Sequence, residues 1–123
     1  MKITCKRLIL FGKEIDSLKK FYCRLFGFKV IEEIKNEWVV LGLDGFEIGL
    51  HRFGKATTKK AFHANSNSKL VFTIEEGRIN SFKKKLEKSG VQIKYQFEYG
   101  GFYHMDGEDP EGNVFQVKQK LNI

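Results

Sequence analysis

Three histidines, His51, His63 and His104, are the side chains in this chain suited to taking and giving a proton near neutral pH. His51 stands four residues after Glu47 in a segment with strand character, so period-two alternation puts Glu47, Gly49 and His51 on one face. A carboxylate and an imidazole on one face suit acid–base catalysis, or weak binding of a metal. His104, inside Phe102-Tyr103-His104-Met105, joins them if its strand register turns it the same way. Glu47, His51 and His104 are therefore the catalytic candidates, against the plainer reading of two satisfied, partly buried histidines. His63 lies in a polar connector and reads as a surface residue. Trp38, Tyr99 and Tyr103 offer rings for stacking on a ligand, with core or rim packing as the ordinary alternative. Cys5 and Cys23 form no Cys-x-x-Cys spacing and read as reduced, semi-buried thiols. Neither a Gly-x-Ser-x-Gly elbow nor a P-loop is present, and Gly100-Gly101 reads as a hairpin turn rather than a phosphate cradle.

The elements that must position these residues fall into two similar runs. Residues 7–11 form an apolar strand ended by Gly12, and Ile15, Leu18, Phe21, Tyr22 and Leu25 then recur at helical spacing until Gly27 stops the helix. Strands follow over residues 28–35, 38–43 and 46–53, with turns at Asn36-Glu37 and Asp44-Gly45. Residues 54–68 are polar and connect to a second run. There, residues 69–74 predict a strand and 77–89 a helix stopped by Gly90; strands are expected at 91–98, 102–105 and 113–120. The order strand, helix, strand, strand, strand thus occurs twice, at a repeat of roughly 60 residues. The expectation is an α+β fold of two tandem βαβββ modules, about 1–56 and 67–123, within a single domain spanning 1–123. Neither module alone covers both faces of its sheet, so a curved mixed sheet lining a cleft, with the helices outside, is expected.

Composition narrows the partners. With 41% hydrophobic and 30% charged residues, the chain is ordinary for a globular protein. No stretch approaches the ~20 apolar residues of a membrane helix, and the charged N-terminus does not resemble a signal peptide, so a cytoplasmic location is expected. The net charge of +7 attracts anions of any size. Lys83-Lys84-Lys85 lies on the second helix beside Phe82 and Leu86 and reads as a solvated face rather than a nucleic-acid patch.

Two motifs carry a family resemblance. Phe21-Tyr22-Cys23-Arg24-Leu25-Phe26-Gly27-Phe28 resembles the helix end of the vicinal-oxygen-chelate (glyoxalase, bleomycin-resistance and extradiol dioxygenase) superfamily, and Asp109-Pro110-Glu111-Gly112-Asn113 with Val114-Phe115-Gln116-Val117 resembles its last hairpin and strand. The resemblance implies a cleft for a small molecule and, in most enzymes of the family, a divalent metal held by His and Glu from the first and last strand of each module. Such a metal polarises vicinal oxygens as a Lewis acid. Carried onto this chain, those positions fall on Arg7, Gly49, Lys69 and Gln116. None is a usual ligand for Zn, Ni, Mn or Fe. No cofactor is therefore expected, although Glu47 and His51 could bind a displaced metal weakly.

Where the family places a dication, this chain has Arg7 and Lys69. Glu47 is a candidate internal partner; a ligand carboxylate or phosphate is the alternative. The expected ligand-binding set is Arg7, Lys69, Gln116, Trp38 and Tyr103, and the ligand anionic or aromatic. The leading expectation is a metal-free small-molecule-binding member, poorly matched to cationic bleomycin. A divergent lyase, isomerase or dioxygenase is the second reading, and a nucleic-acid-associated protein the third. The resemblance also implies a homodimer.

Overall fold

The computed structural model describes residues 1–52 and 68–121, and His63 lies outside them. The chain divides into two compact units, Met1–His63 and Ala64–Ile123. Unit 1 runs β1 (Arg7–Gly12), α1 (Ile15–Phe26), β2 (Lys29–Ile34), β3 (Trp38–Leu43) and β4 (Phe46–Arg52). Unit 2 repeats the order with β5 (Leu70–Ile74), α2 (Ile79–Lys88), β6 (Tyr95–Tyr99), β7 (Phe102–Glu108) and β8 (Val114–Lys120). Each unit holds one four-stranded mixed sheet, ordered β1-β4-β3-β2 and β5-β8-β7-β6. The first and last strands of each unit pair in parallel and the remaining neighbours antiparallel.

Alternation sorts the side chains of each sheet. In unit 1, Val39 and Leu41 of β3 and Ile48 and Leu50 of β4 are buried. They form a core with Ile15, Leu18, Tyr22 and Leu25 of α1, whose apolar stripe meets β1, β3 and β4. The opposite sheet face carries Arg7, Ile9 and Phe11 of β1 in register with Glu47, Gly49 and His51 of β4. In unit 2, Leu70, Met105, Phe115 and Val117 are buried on one face. Lys69, Val71, His104, Asp106, Gln116 and Lys118 take the other. Gln119, on the core side, accepts the Arg78 and Ile79 N–H groups through Oε1, at 2.9 Å each. It thereby caps an α2 that has no capping side chain of its own.

Two boundaries differ from the sequence expectation in ways that matter. Residues 91–94 are not strand. Gly90 N–H bonds to Glu87 O and Val91 N–H to Leu86 O, so Val91 closes the helix stop and β6 starts only at Tyr95. β7 does not end at Met105: its ladder continues through Asp106↔Gln116, Gly107↔Phe115 and Glu108↔Val114. Asp-Gly-Glu looks like a turn composition, yet Gly107 is needed there because a Cβ would lie 2.8 Å from the Phe115 ring. The next turn is held by the Asp109 carboxylate, which accepts N–H groups from Glu111 and Asn113 and the Asn113 side-chain amide. Both cysteines are free, Cys5 exposed and Cys23 half-buried.

Candidate functional site

The exposed face of the unit 1 sheet brings Arg7, Trp38, Glu47 and His51 together. Arg7 Nη2 and Nε each lie 2.9 Å from Glu47 Oε1, an ion pair made directly across the parallel β1–β4 ladder. The Arg7 guanidinium also sits 5.8 Å from the centre of the Trp38 ring. Trp38 Nε1 donates to Glu32 Oε2 at 3.3 Å, which lays the indole across the sheet. Its Cη2 would stand 2.6 Å from a Cβ at position 49, so glycine there makes room for the ring. His51 packs edge-on to Trp38 at 5.7 Å and against Phe11 at 5.4 Å. Its Nδ1 lies 2.7 Å from the Arg52 carbonyl. In the neutral ring that contact holds the proton on Nδ1 and leaves the lone pair on Nε2, the arrangement a proton acceptor needs.

The equivalent face of unit 2 carries a longer chain of contacts. Lys69 Nζ lies 2.6 Å from Asp106 Oδ2, and Gln116 Nε2 donates to Asp106 Oδ1 at 2.9 Å. With its amide nitrogen turned to the carboxylate, Gln116 presents Oε1 to His104 Nδ1 at 3.1 Å. His104 Nε2 faces the Tyr99 carbonyl at 3.2 Å, and the ring stacks on Phe97 at 4.7 Å with planes 13° apart. Both ring nitrogens of His104 are thus engaged with acceptors, which makes His51 the better placed base of the two. Asp106 joins the two branches while itself almost fully buried. Sequence reasoning missed it because β7 was expected to end one residue earlier. The signal was available in the alternation: position 106 follows His104 by two residues and shares its face.

Tyr103 is not brought into this group. It pairs with Gln119 on the core side of the sheet and donates its hydroxyl to Gln96 Oε1. Adjacent residues on a strand point to opposite faces, so Tyr103 and His104 cannot both belong to one site. Beside the Lys69–Asp106 pair, the same face opens into a cavity of about 390 Å³ lined by Lys69, Lys94, Tyr95, Phe97 and Glu108 among others.

The four positions where the resemblance implies metal ligands do not fit a divalent ion. Arg7 and Lys69 are cations already held by carboxylates, Gly49 lies under an indole, and the Gln116 amide is oriented by Asp106. Among the described residues, no three His, Cys, Asp or Glu side chains converge on a point that could hold a metal.

Known proteins agree with this architecture. The fosfomycin resistance protein FosX from Listeria monocytogenes superposes with a TM-score of 0.80 at 13% identity, covering 98% of this chain and 94% of that one. A putative glyoxalase family protein from Bacillus anthracis gives 0.76 at 14% identity over 98% of both chains. Lactoylglutathione lyase from Agrobacterium tumefaciens gives 0.69 at 16% identity, covering 94% and 92%. In sequence, the chain is 30% identical over 98 residues to large ribosomal subunit protein uL6 of Streptococcus thermophilus, covering 72% of this chain and 53% of that protein. The chain therefore spans about half the length of the curated relatives it matches. The likeness to solved structures shows the fold; the family is shown by the family model. The family model for the Glyoxalase/Bleomycin resistance protein/Dioxygenase superfamily matches residues 4–117, through both βαβββ units and both motifs, and the chain belongs to that superfamily.

Proposed function

We propose that this chain is a small-molecule-binding member of its superfamily that works without the family-type metal and takes an anionic or aromatic ligand. The observation carrying this reading is the set of residues at the family's ligand positions. Arg7 and Lys69, each paired with a carboxylate of its own unit, stand at positions where the family has metal ligands, and Gly49 and Gln116 offer no replacement ligand. Metal stoichiometry tests it directly. Purified protein incubated with Ni, Zn, Mn or Fe(II) and then desalted is expected to retain far less than one ion per chain by plasma mass spectrometry. One tightly held ion per chain would overturn the metal-free reading. A thermal-shift screen of anionic metabolites, with Arg7→Met and the charge-neutral pair Lys69→Met/Asp106→Asn as controls, then tests the ligand class.

His51 favours a second reading, that of a metal-free lyase or isomerase using its Nε2 as a base. Turnover of a screened acid that disappears in His51→Gln, with binding retained, would support it. The proposed setting is a homodimer in the cytoplasm. Ile31 and Ile34 of β2 and Tyr99 of β6 are exposed apolar groups of the kind that subunit contacts cover. Sedimentation velocity showing only monomer would remove the dimer.

A further inference from the structure

The cavity on the unit 2 sheet carries more chemical detail than the reading above requires. Two lysines line it, each half-exposed: the Lys69 side chain at 43% and that of Lys94 at 47%. Each is paired with a carboxylate of the same cavity, Lys69 with Asp106 and Lys94 with Glu108. An ammonium has three N–H donors, so each lysine keeps donors beyond the one its partner engages. The acceptors do not match them. Asp106 is almost fully buried and receives hydrogen bonds at both oxygens, from Lys69 and Gln116. Glu108 already faces Lys94. The four charges cancel, and what remains for a ligand is a set of unused N–H donors on the two ammonium groups beside one partly exposed carboxylate, Glu108.

The apolar part of the lining is mainly aromatic, with Val114 beside it. Tyr95 and Phe97 lie two apart on β6 and so share a face, and they remain 66% and 40% exposed. The Phe97 ring cannot swing freely, because His104 is stacked on it and His104 is itself tied to Gln116 and Tyr99. A fixed ring beside cationic donors is an arrangement suited to a flat acid, and about 390 Å³ falls in the range of small-molecule pockets.

We infer that this cavity binds an aromatic carboxylate, its ring on Tyr95 and Phe97 and its acid group on the Lys69 and Lys94 ammonium groups. The inference rests on the small-molecule reading above and adds to it a location, a ligand class and the residues Lys94, Tyr95 and Phe97. The discriminating group is Lys94, since removing Lys69 would leave Asp106 buried and unpaired.

The probe is 2-naphthoate titrated into the full chain and followed by backbone amide NMR, with 2-naphthylmethylamine and 2-naphthol as ring-matched cationic and neutral controls. The expected result is binding of naphthoate at least about tenfold tighter than of the amine, from charged hydrogen bonds the amine cannot make. Shifts should cluster at residues 94–97 and 106–108. Lys94→Met/Glu108→Gln, which leaves the net charge unchanged, should weaken naphthoate about tenfold with a native spectrum retained, and Lys94→Arg should keep most of the affinity. Equal binding of the amine, or no effect of the double variant, would overturn the inference. Naphthoate shifts confined to Arg7 and Trp38 would overturn it too while preserving the small-molecule reading. If neither naphthoate nor any member of the anionic-metabolite panel binds, both fall.

Discussion

At position 49 a missing side chain is the structural feature, because the Trp38 ring occupies the space a Cβ would need. Gly49→Ala should therefore destabilise the protein by about 1–3 kcal/mol through forced displacement of the indole. The cost should shrink in a Trp38→Leu background, which urea denaturation of the single and double variants would show. Asp106 makes the opposite case, a side chain whose loss strands its partners. Asp106→Ala leaves the Gln116 amide and the Lys69 ammonium without their acceptor. About 2 kcal/mol of stability should go with it, since a buried donor left unpaired costs its full desolvation. Glu47→Ala removes a more exposed carboxylate, 18% against 6% for Asp106, and should cost under about 1 kcal/mol in the same assay. Equal losses for the two acids would contradict the burial difference between them.

At the level of single elements, α1 shows how a short helix is tied to its sheet by charge as well as by its apolar stripe. The Lys20 and then the Lys19 ammonium hold the Asp16 carboxyl below its usual 3.8. The Glu33 carboxylate on β2 holds Lys19 above its usual 10.5. The signs set two separate pH windows. The Asp16 contribution is present above pH 3.8 and lost as pH falls through the lowered folded value. That of Lys19 is present below pH 10.5 and lost as pH rises through the raised folded value. Glu33→Gln should lower stability by about 0.5 kcal/mol near neutrality. It should also flatten the alkaline limb of the stability curve, which denaturant midpoints measured across pH would show. Burial pushes the Cys23 thiol on the same helix upward, in keeping with an inert role.

For the whole molecule, the net charge of +7 makes association with nucleic acid a question for salt dependence. On α2, Lys83 bonds to Gln96 at 3.0 Å and Lys85 lies over the Phe82 ring, while Lys84 and Lys88 are exposed. Any RNA association should be sequence-blind and should vanish on raising salt from about 50 to about 200 mM, as expected for attraction without base contacts. A gel shift with a ribosomal RNA helix that survives the higher salt would argue for the nucleic-acid reading instead.

Much of the architecture was legible in the chain because it depends on local patterns. Glycines at positive φ stop or follow both helices, Gly27 at 81° and Gly90 at 91°, and Asp44-Gly45 makes the hairpin its residue types require. Alternation likewise placed Glu47, Gly49 and His51 on one face, and Arg7 found in Glu47 the partner its charge called for. What the sequence could not decide was anything set by pairing between distant segments. Asp106 joins Lys69 and Gln116 only because the β7–β8 ladder runs past Met105, and that ladder depends on Phe115 filling the space above Gly107. Tyr103 and His104, both expected at the site, are separated for the same reason: one step of register decides which of two neighbours faces the core. Composition and spacing determined the elements and their order, because propensity and periodicity act over a few residues. The tertiary structure alone decided that Asp106 neutralises Lys69, because that contact joins residues 37 positions apart.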